Sequence, residues 1–154
     1  MKIIYSIKDK ILIPFRLVPK EGLSSEKLAF SITIGIVCGI FPVIGTTTIL
    51  SLLLTLLFRQ NLLVVQSVQW IIALIQILLI IPFMRFGAYL LNQEILPINI
   101  EQIRLAFQPG MLAGIKTIGI FHLYAIFTWT ILVIPVGAVS YYTFLSFFQK
   151  KKQS

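Results

Sequence analysis

Three long stretches without a single charged residue dominate this sequence. They cover residues 28–58, 60–84 and 117–149, which are 31, 25 and 33 residues long. An apolar stretch of about 18 residues or more is long enough to suggest a helix that crosses a bilayer. Charged residues make up 12% of the 154-residue chain, about half their share in ordinary soluble domains. The sequence therefore predicts an all-α integral membrane protein and argues against a soluble globular enzyme.

Basic residues collect at the ends of the apolar stretches. The chain has 13 Lys and Arg against 5 Asp and Glu, a net charge of +8. Six basic residues precede residue 28, and three lysines lie in a basic tail at 150–154. This placement fits the positive-inside rule and contact with anionic lipids, whereas nucleic-acid binding needs a solvated basic face. We therefore expect the lipid bilayer and its anionic lipids as partners, and no nucleic acid.

The first charge-free stretch contains its own interruption. As one helix, residues 28–58 would be about 46 Å long, well beyond a hydrocarbon core of about 30 Å. Gly39, Pro42 and Gly45 lie near its middle, and three threonines follow. Proline removes a backbone donor, glycine permits a turn, and threonine is a good N-cap residue. The pattern predicts two half-helices, about 28–41 and 46–58, with a structural break between them.

The length of the half-helices bears on the topology. Each would be about 20 Å long, which is short for a full crossing. A re-entrant hairpin fits this length, and two shortened crossings or one kinked helix are the alternatives. With a broken helix pair at 24–58, a span at 60–84 and a return span at 117–149, both basic ends lie on the cytoplasmic side. We therefore expect a multi-pass protein with cytoplasmic N- and C-termini.

Two segments outside the apolar stretches, 1–22 and 95–110, have apolar residues on one helical face and polar residues on the other. Such segments predict amphipathic helices that lie in the membrane interface. Residues 117–149 contain Pro135 and Gly137, so a second broken run, and with it a weak inverted repeat, is also expected. The whole chain is expected to form a single membrane domain.

Polar side chains in the apolar stretches form two stripes at helical spacing. In apolar helices such stripes turn away from lipid. They serve either as hydrogen-bond contacts between helices or as the lining of a translocation path or headgroup pocket. The stripes are Thr48, Ser51 and Thr55 on the second half-helix, and Gln66, Gln69 and Gln76 on the next span.

The start of the second half-helix is the strongest candidate ligand-binding site. A helix that begins here would place free backbone N–H groups and three hydroxyls at its N-terminus, which favours binding of a phosphate or carboxylate. The residues concerned are Gly45, Thr46, Thr47 and Thr48. Plain N-capping of the helix is the alternative. Arg59 is the nearest basic residue in sequence and is assigned to the same site.

Patterns typical of catalysis and metal binding are missing from the sequence. It has no paired acids, no HExxH, no GxSxG and no phosphate loop with its lysine. The one cysteine, Cys38, and the one histidine, His122, both lie in apolar stretches without a carboxylate nearby. We therefore expect no enzymatic activity, no metal site and no cofactor.

Over residues 24–91 the chain resembles a bacterial integral-membrane family, DUF2062. The resemblance rests first on the motif G-x-x-P-x-x-G-T, formed here by Gly39, Pro42, Gly45 and Thr46. It implies a protein of the bacterial inner membrane, and in some relatives the domain is attached to sugar-transferring enzymes of envelope synthesis. Further matching residues are Gly35, Thr47, Thr48, Arg59, Asn61, Gln76, Pro82, Arg85 and Gly87.

These features lead to two functional expectations. The first is a carrier or binder of an anionic, lipid-like envelope molecule at the broken-helix site, as a monomer or a homo-oligomer. The second is a non-catalytic scaffold or accessory subunit for an envelope glycosyltransferase or a similar enzyme. A polar cavity opening from the threonine stripe toward the glutamines would indicate the carrier, and a dry, closed break would indicate the scaffold.

Overall fold

The computed structural model describes residues 23–93 and 100–153. These residues form helices joined by short turns, and no β-strand occurs among them. The all-helical fold class is therefore confirmed. The predicted N-terminal segment 1–22 and residues 95–99 of the second amphipathic segment lie outside the described residues. The five helices are α1 (Ser25–Gly39), α2 (Thr47–Leu57), α3 (Leu62–Leu90), α4 (Ile100–Phe107) and α5 (Met111–Gln153).

α1 and α2 form a hairpin, and α3 turns back to run beside α1. Near the start of α1, the Ser31 hydroxyl donates to Gln60 Oε1 at 3.3 Å, just before α3 begins. Just past the end of α1, the carbonyl of Phe41 accepts from the Gln76 amide at 2.6 Å, halfway along α3. α1 and α3 are therefore parallel, and α2 packs against both of them in the opposite direction.

α5 returns along the other side of α1 and α3. Its Thr128 hydroxyl donates to the carbonyl of Phe83 at 2.8 Å, late in α3. Farther along, the Tyr141 ring contacts the Phe30 ring edge-on at 6.0 Å between centroids, early in α1. The start of α1, the α2–α3 turn and the end of α5 therefore lie at one end of the bundle. We call it the basic end, because it carries Lys27, Arg59, Lys150 and Lys151.

Two of the described helices are long and apolar enough to cross a membrane: α3, and residues Met111–Lys151 of α5. Their outer surfaces are covered with exposed apolar side chains, such as Leu74 at 75% and Ile134 at 76% exposure. Apolar surface on this scale needs cover from lipid or from another protein. The structure therefore contains two candidate membrane-spanning helices, in the positions where the sequence predicts the two spans.

The structure corrects one prediction about where the long helices are interrupted. α5 is continuous through Pro135, so the predicted second break and the internal repeat that depended on it are wrong. α3 likewise continues through Pro82 to Leu90. A proline removes one helical hydrogen bond, but both helices continue through it. Residues on either side of the two prolines meet in one core cluster that includes Phe83, Met84, Ala125, Leu132 and Val136.

Candidate functional site

The predicted break lies between Gly39, where α1 ends, and Thr47, where α2 begins. Gly45 has a φ of +90°, in the left-handed region that L side chains rarely adopt. No atom lies within 4 Å of a Cβ built at this position, so backbone conformation rather than space requires the glycine. The chain therefore reverses direction at the break around Gly45, whereas α5 continues through Pro135.

The break lies beside the middle of α3. Gln76, which contacts Phe41 of the break, is 14 residues from both Leu62 and Leu90. Gln69, two turns earlier in α3, contacts the first residue of α2, Thr47. The turn between α1 and α2 therefore lies halfway along α3 rather than at an end of the bundle.

Two side chains from other helices satisfy the carbonyl groups that the end of α1 leaves open. Gln76 donates to Phe41 O at 2.6 Å, and the indole N–H of Trp129 donates to Val37 O at 3.0 Å. The Trp129 ring also lies edge-on against the Phe41 ring, with centroids 4.9 Å apart. Gln76 therefore serves the end of α1 and does not join the other two glutamines at α2. The role of Trp129 was not predicted, although an indole N–H deep in an apolar stretch needs an acceptor.

Apart from Thr55, the other polar residues of the two stripes bind each other across the α2–α3 contact. Gln66 Nε2 donates to Ser51 Oγ at 2.8 Å. Gln69 Nε2 donates to Thr47 Oγ1 at 3.2 Å and, more weakly, to Thr48 Oγ1 at 3.4 Å. Ser51 is 0% and Gln69 2% exposed, so the contact is closed. These hydrogen bonds hold the hairpin against α3, which is the packing role considered for the stripes.

The backbone donors at the start of α2 are not capped by the threonines. Thr46 occupies the N-cap position, but its hydroxyl donates to Val43 O at 3.1 Å and accepts no backbone N–H. The first helical hydrogen bond runs from Leu50 N to Thr46 O at 3.0 Å. Within the described part of the chain, the N–H groups of Thr47, Thr48 and Ile49 therefore have no acceptor, as in any uncapped helix.

Gln69 brings an unsatisfied polar atom to the same place. Its Oε1 is buried and has no hydrogen-bond partner among the described residues. In the opposite orientation of the amide, the hydroxyls of Thr47 and Thr48 would donate to the oxygen, and the NH₂ group would be the unpaired one. In either orientation, one buried polar atom of Gln69 needs a partner at the start of α2.

The structure does not bring all the predicted site residues together. Gly45, Thr46 and Thr48 are exposed at the break. Arg59 lies at the other end of α2, in the turn to α3, 13 residues and about 20 Å of helix away from Thr46. Thr55 is buried, and its hydroxyl donates only to Ser51 O of its own helix, at 2.6 Å. The site at the break thus consists of uncharged donors and acceptors.

The chemistry available at this site is hydrogen bonding assisted by a helix dipole. Free N–H groups at a helix start carry partial positive charge and favour an anionic or strongly accepting group. Across the described residues, no group of three or more His, Cys, Asp or Glu side chains lies together to hold a metal ion. His122 hydrogen-bonds the Ile118 carbonyl of its own helix at 3.0 Å.

Comparison with known proteins identifies one family. The model of the family DUF2062, described as "Uncharacterized protein conserved in bacteria", matches residues 16–154. No curated protein and no solved structure matches the chain. The match covers the break between α1 and α2 and both long helices, and it extends the resemblance at residues 24–91 through α5. The chain therefore belongs to the DUF2062 family.

Proposed function

We propose that α3 and α5 cross the bacterial inner membrane and that the α1–α2 hairpin is re-entrant. The 15 residues of α1 and the 11 of α2 correspond to about 22 and 16 Å, too short for a hydrocarbon core of about 30 Å. The break lies beside the midpoint of α3, which is itself long enough to cross. A break at mid-membrane depth supports the re-entrant placement. Exposed apolar side chains of α2, including Leu53 and Leu57, then face lipid.

The orientation follows from the basic end. Lys27, Arg59, Lys150 and Lys151 lie at that end of the bundle, and the positive-inside rule places it in the cytoplasm. Both described ends of the chain and both ends of the hairpin are then cytoplasmic.

Within this arrangement, the protein binds an anionic, lipid-like envelope molecule at the break, without a catalytic step. The observation that carries this proposal is the set of three uncapped N–H groups at the start of α2. Gln69 lies beside them, and its amide in the flipped orientation adds a free NH₂ donor. At membrane depth no bulk water satisfies such groups, and each costs several kcal/mol if left alone. A phosphate or carboxylate would accept hydrogen bonds from the N–H groups and lie at the positive end of the helix dipole.

The closed contact between the stripes places this ligand at the exposed mouth of the break. Gly45, Thr46 and Thr48 form that mouth, whereas Ser51 and Gln69 are almost completely buried. A headgroup therefore reaches the α2 start from the lipid side, and passage between α2 and α3 would require their hydrogen bonds to open.

The experiment is binding and transfer of a polyprenyl phosphate by the purified protein in proteoliposomes. Gly45→Leu and Thr46→Val should weaken binding, because they block the mouth and remove its exposed hydroxyl. Thr130→Val is the matched control, since that hydroxyl donates only to Ile126 O of its own helix. Equal binding by the wild type and all three variants would refute the site. Binding without transfer would identify a binder rather than a carrier.

A second candidate function, a scaffold for an envelope glycosyltransferase or similar enzyme, is favoured by the closed α2–α3 contact. A dry break is the arrangement expected of a protein that docks a partner rather than one that opens a path. The exposed residues Glu101 and Arg104 of α4 are suited to photo-crosslinking in cells. Capture of a membrane-bound sugar transferase at these positions would support the scaffold, and failure to capture any protein would count against it.

A further inference from the structure

A groove opens between α1 and α5 at the basic end, away from the break. Its volume is about 700 Å³, within the range of small-molecule sites. Phe30 and Thr33 of α1 form one wall, and Gly137 and Ala138 of α5 form the other. None of the residues that line the groove belongs to the turn between α1 and α2 or to the start of α2.

The groove changes from polar to apolar along its length. Lys27 lies at the outer end, and Thr33 is six residues, or about 9 Å, farther along α1. On α5, Tyr141 and Tyr142 lie toward the outer end, and Ile134 lies about two turns deeper. A polar end followed by an apolar stretch of groove of this length matches the boundary between headgroups and acyl chains. Tyrosine and lysine are also the residues expected at that boundary.

The charged groups at the mouth have no ion-pair partner among the described residues. Lys27 and Glu26 are both exposed, and neither forms an ion pair with any described residue. Adjacent on the first turn of α1, they offer one cation and one anion to the same bound molecule. A molecule that carries a phosphate, a primary amine and an apolar chain would complement all three features of the groove.

We propose that the groove binds one phosphatidylethanolamine molecule from the bilayer. Its phosphate lies at Lys27, its amine at Glu26, and one acyl chain along Ile134, Gly137 and Ala138. This inference rests on the membrane placement proposed above but not on ligand binding at the break. The groove is therefore a second, separate lipid site on the cytoplasmic side.

The test uses a photo-reactive amino acid at position 138, which lines the groove, or at position 139. Val139 is 68% exposed and does not line the groove, so it serves as the matched control. The full-length protein is irradiated in vesicles that contain phosphatidylethanolamine or phosphatidylglycerol. Mass spectrometry then identifies the covalent lipid adducts and measures their yield. We expect phosphatidylethanolamine adducts at 138 in clear excess over 139, and fewer adducts at 138 with phosphatidylglycerol.

Lys27→Gln should lower the adduct yield at 138 about fivefold, because one Lys contact near an anionic headgroup contributes roughly 1 kcal/mol. The yield at 139 should not change. Equal yields at 138 and 139 would show ordinary bulk lipid and overturn the site. Crosslinks from 138 to residues of the same chain would show that the protein fills its own groove, which also overturns it. Equal yields with both lipids would overturn the pairing of Glu26 with the amine.

Retention of lipid after detergent extraction gives an independent measurement. Ala138→Phe fills the groove from an exposed position and should lower the amount of retained phosphatidylethanolamine, whereas Val139→Phe should not. Gly45→Leu should leave this retention intact, and Ala138→Phe should leave polyprenyl phosphate binding intact. Failure of the groove and failure of the break site are therefore distinguishable.

Discussion

Replacing Gln69 by methionine tests whether its buried amide is a cost to the fold. The substitution removes two long hydrogen bonds, of 3.2 and 3.4 Å, to Thr47 and Thr48. Between membrane helices such bonds average about 0.6 kcal/mol each. It also removes the Gln69 Oε1 atom, which is buried without a partner. Loss of that unsatisfied atom should stabilise the fold by about 1–3 kcal/mol. We therefore expect the free energy of unfolding of Gln69→Met to equal that of the wild type or exceed it by up to about 2 kcal/mol.

The other two glutamines should respond differently. Gln76→Met leaves the Phe41 carbonyl without its 2.6 Å donor in the middle of the bundle, so it should lower the free energy of unfolding by about 1–3 kcal/mol. Gln66→Met removes one bond to Ser51, whose hydroxyl still donates to Thr48 O at 2.9 Å. Its cost should be near the average of about 0.6 kcal/mol. The expected order of stability is Gln69→Met, then Gln66→Met, then Gln76→Met.

The assay is denaturant unfolding in mixed micelles followed by far-UV circular dichroism, with all variants compared at the same micelle composition. Leu78→Met, at an exposed position of α3, is the control for introducing methionine. A loss of stability for Gln69→Met as large as that for Gln76→Met would refute the reasoning. It would mean that Gln69 Oε1 has a partner in the folded protein. The same Gln69→Met protein should bind polyprenyl phosphate less tightly if the amide is part of the proposed site.

Three further predictions concern the break and the topology. Gly45→Ala should lower the free energy of unfolding by about 1 kcal/mol, because the φ of Gly45 is +90°. Gly119 lies within α5 and has no atom near an added Cβ, so Gly119→Ala should raise the free energy of unfolding by about 1 kcal/mol. Trp129→Phe keeps the ring contact with Phe41 but loses the N–H donor to Val37 O, so unfolding in the same assay should show a loss of about 1–3 kcal/mol. Reporter fusions after Arg59 and at the C-terminus should both report the cytoplasm, and an external signal at Arg59 would exclude the re-entrant hairpin.

The features that the sequence predicted correctly depend on local physics. Charge-free runs longer than a bilayer crossing predict apolar helices without any knowledge of packing. Pro42 followed by Gly45 combines a missing donor with a residue that tolerates positive φ, and both effects act within a few residues. The break between α1 and α2 was therefore predictable, to within two residues at the end of α1 and one at the start of α2.

The features that were missed depend on contacts between distant parts of the chain. Pro135 resembles Pro42 locally, but neighbours from α1 and α3 pack around its turn of α5 and keep that helix continuous. The bond from Trp129 to Val37 joins residues 92 positions apart, and no periodicity reports such a pair. Arg59 was placed at the site because it is near in sequence, yet the rise of an α-helix carries it to the opposite end of α2.

The length of α5 determines how the protein meets the two membrane surfaces. Its 43 residues extend about 64 Å, whereas a bilayer with its headgroups is about 40–45 Å thick. Tilting absorbs part of the difference, and the remaining turns have to project into water. On the far side these are the first turns of α5, where Gly114 packs against Phe107 of α4. With the membrane placement proposed above, α4 and the start of α5 form a small helical surface outside the membrane, which an envelope component could reach without entering the lipid.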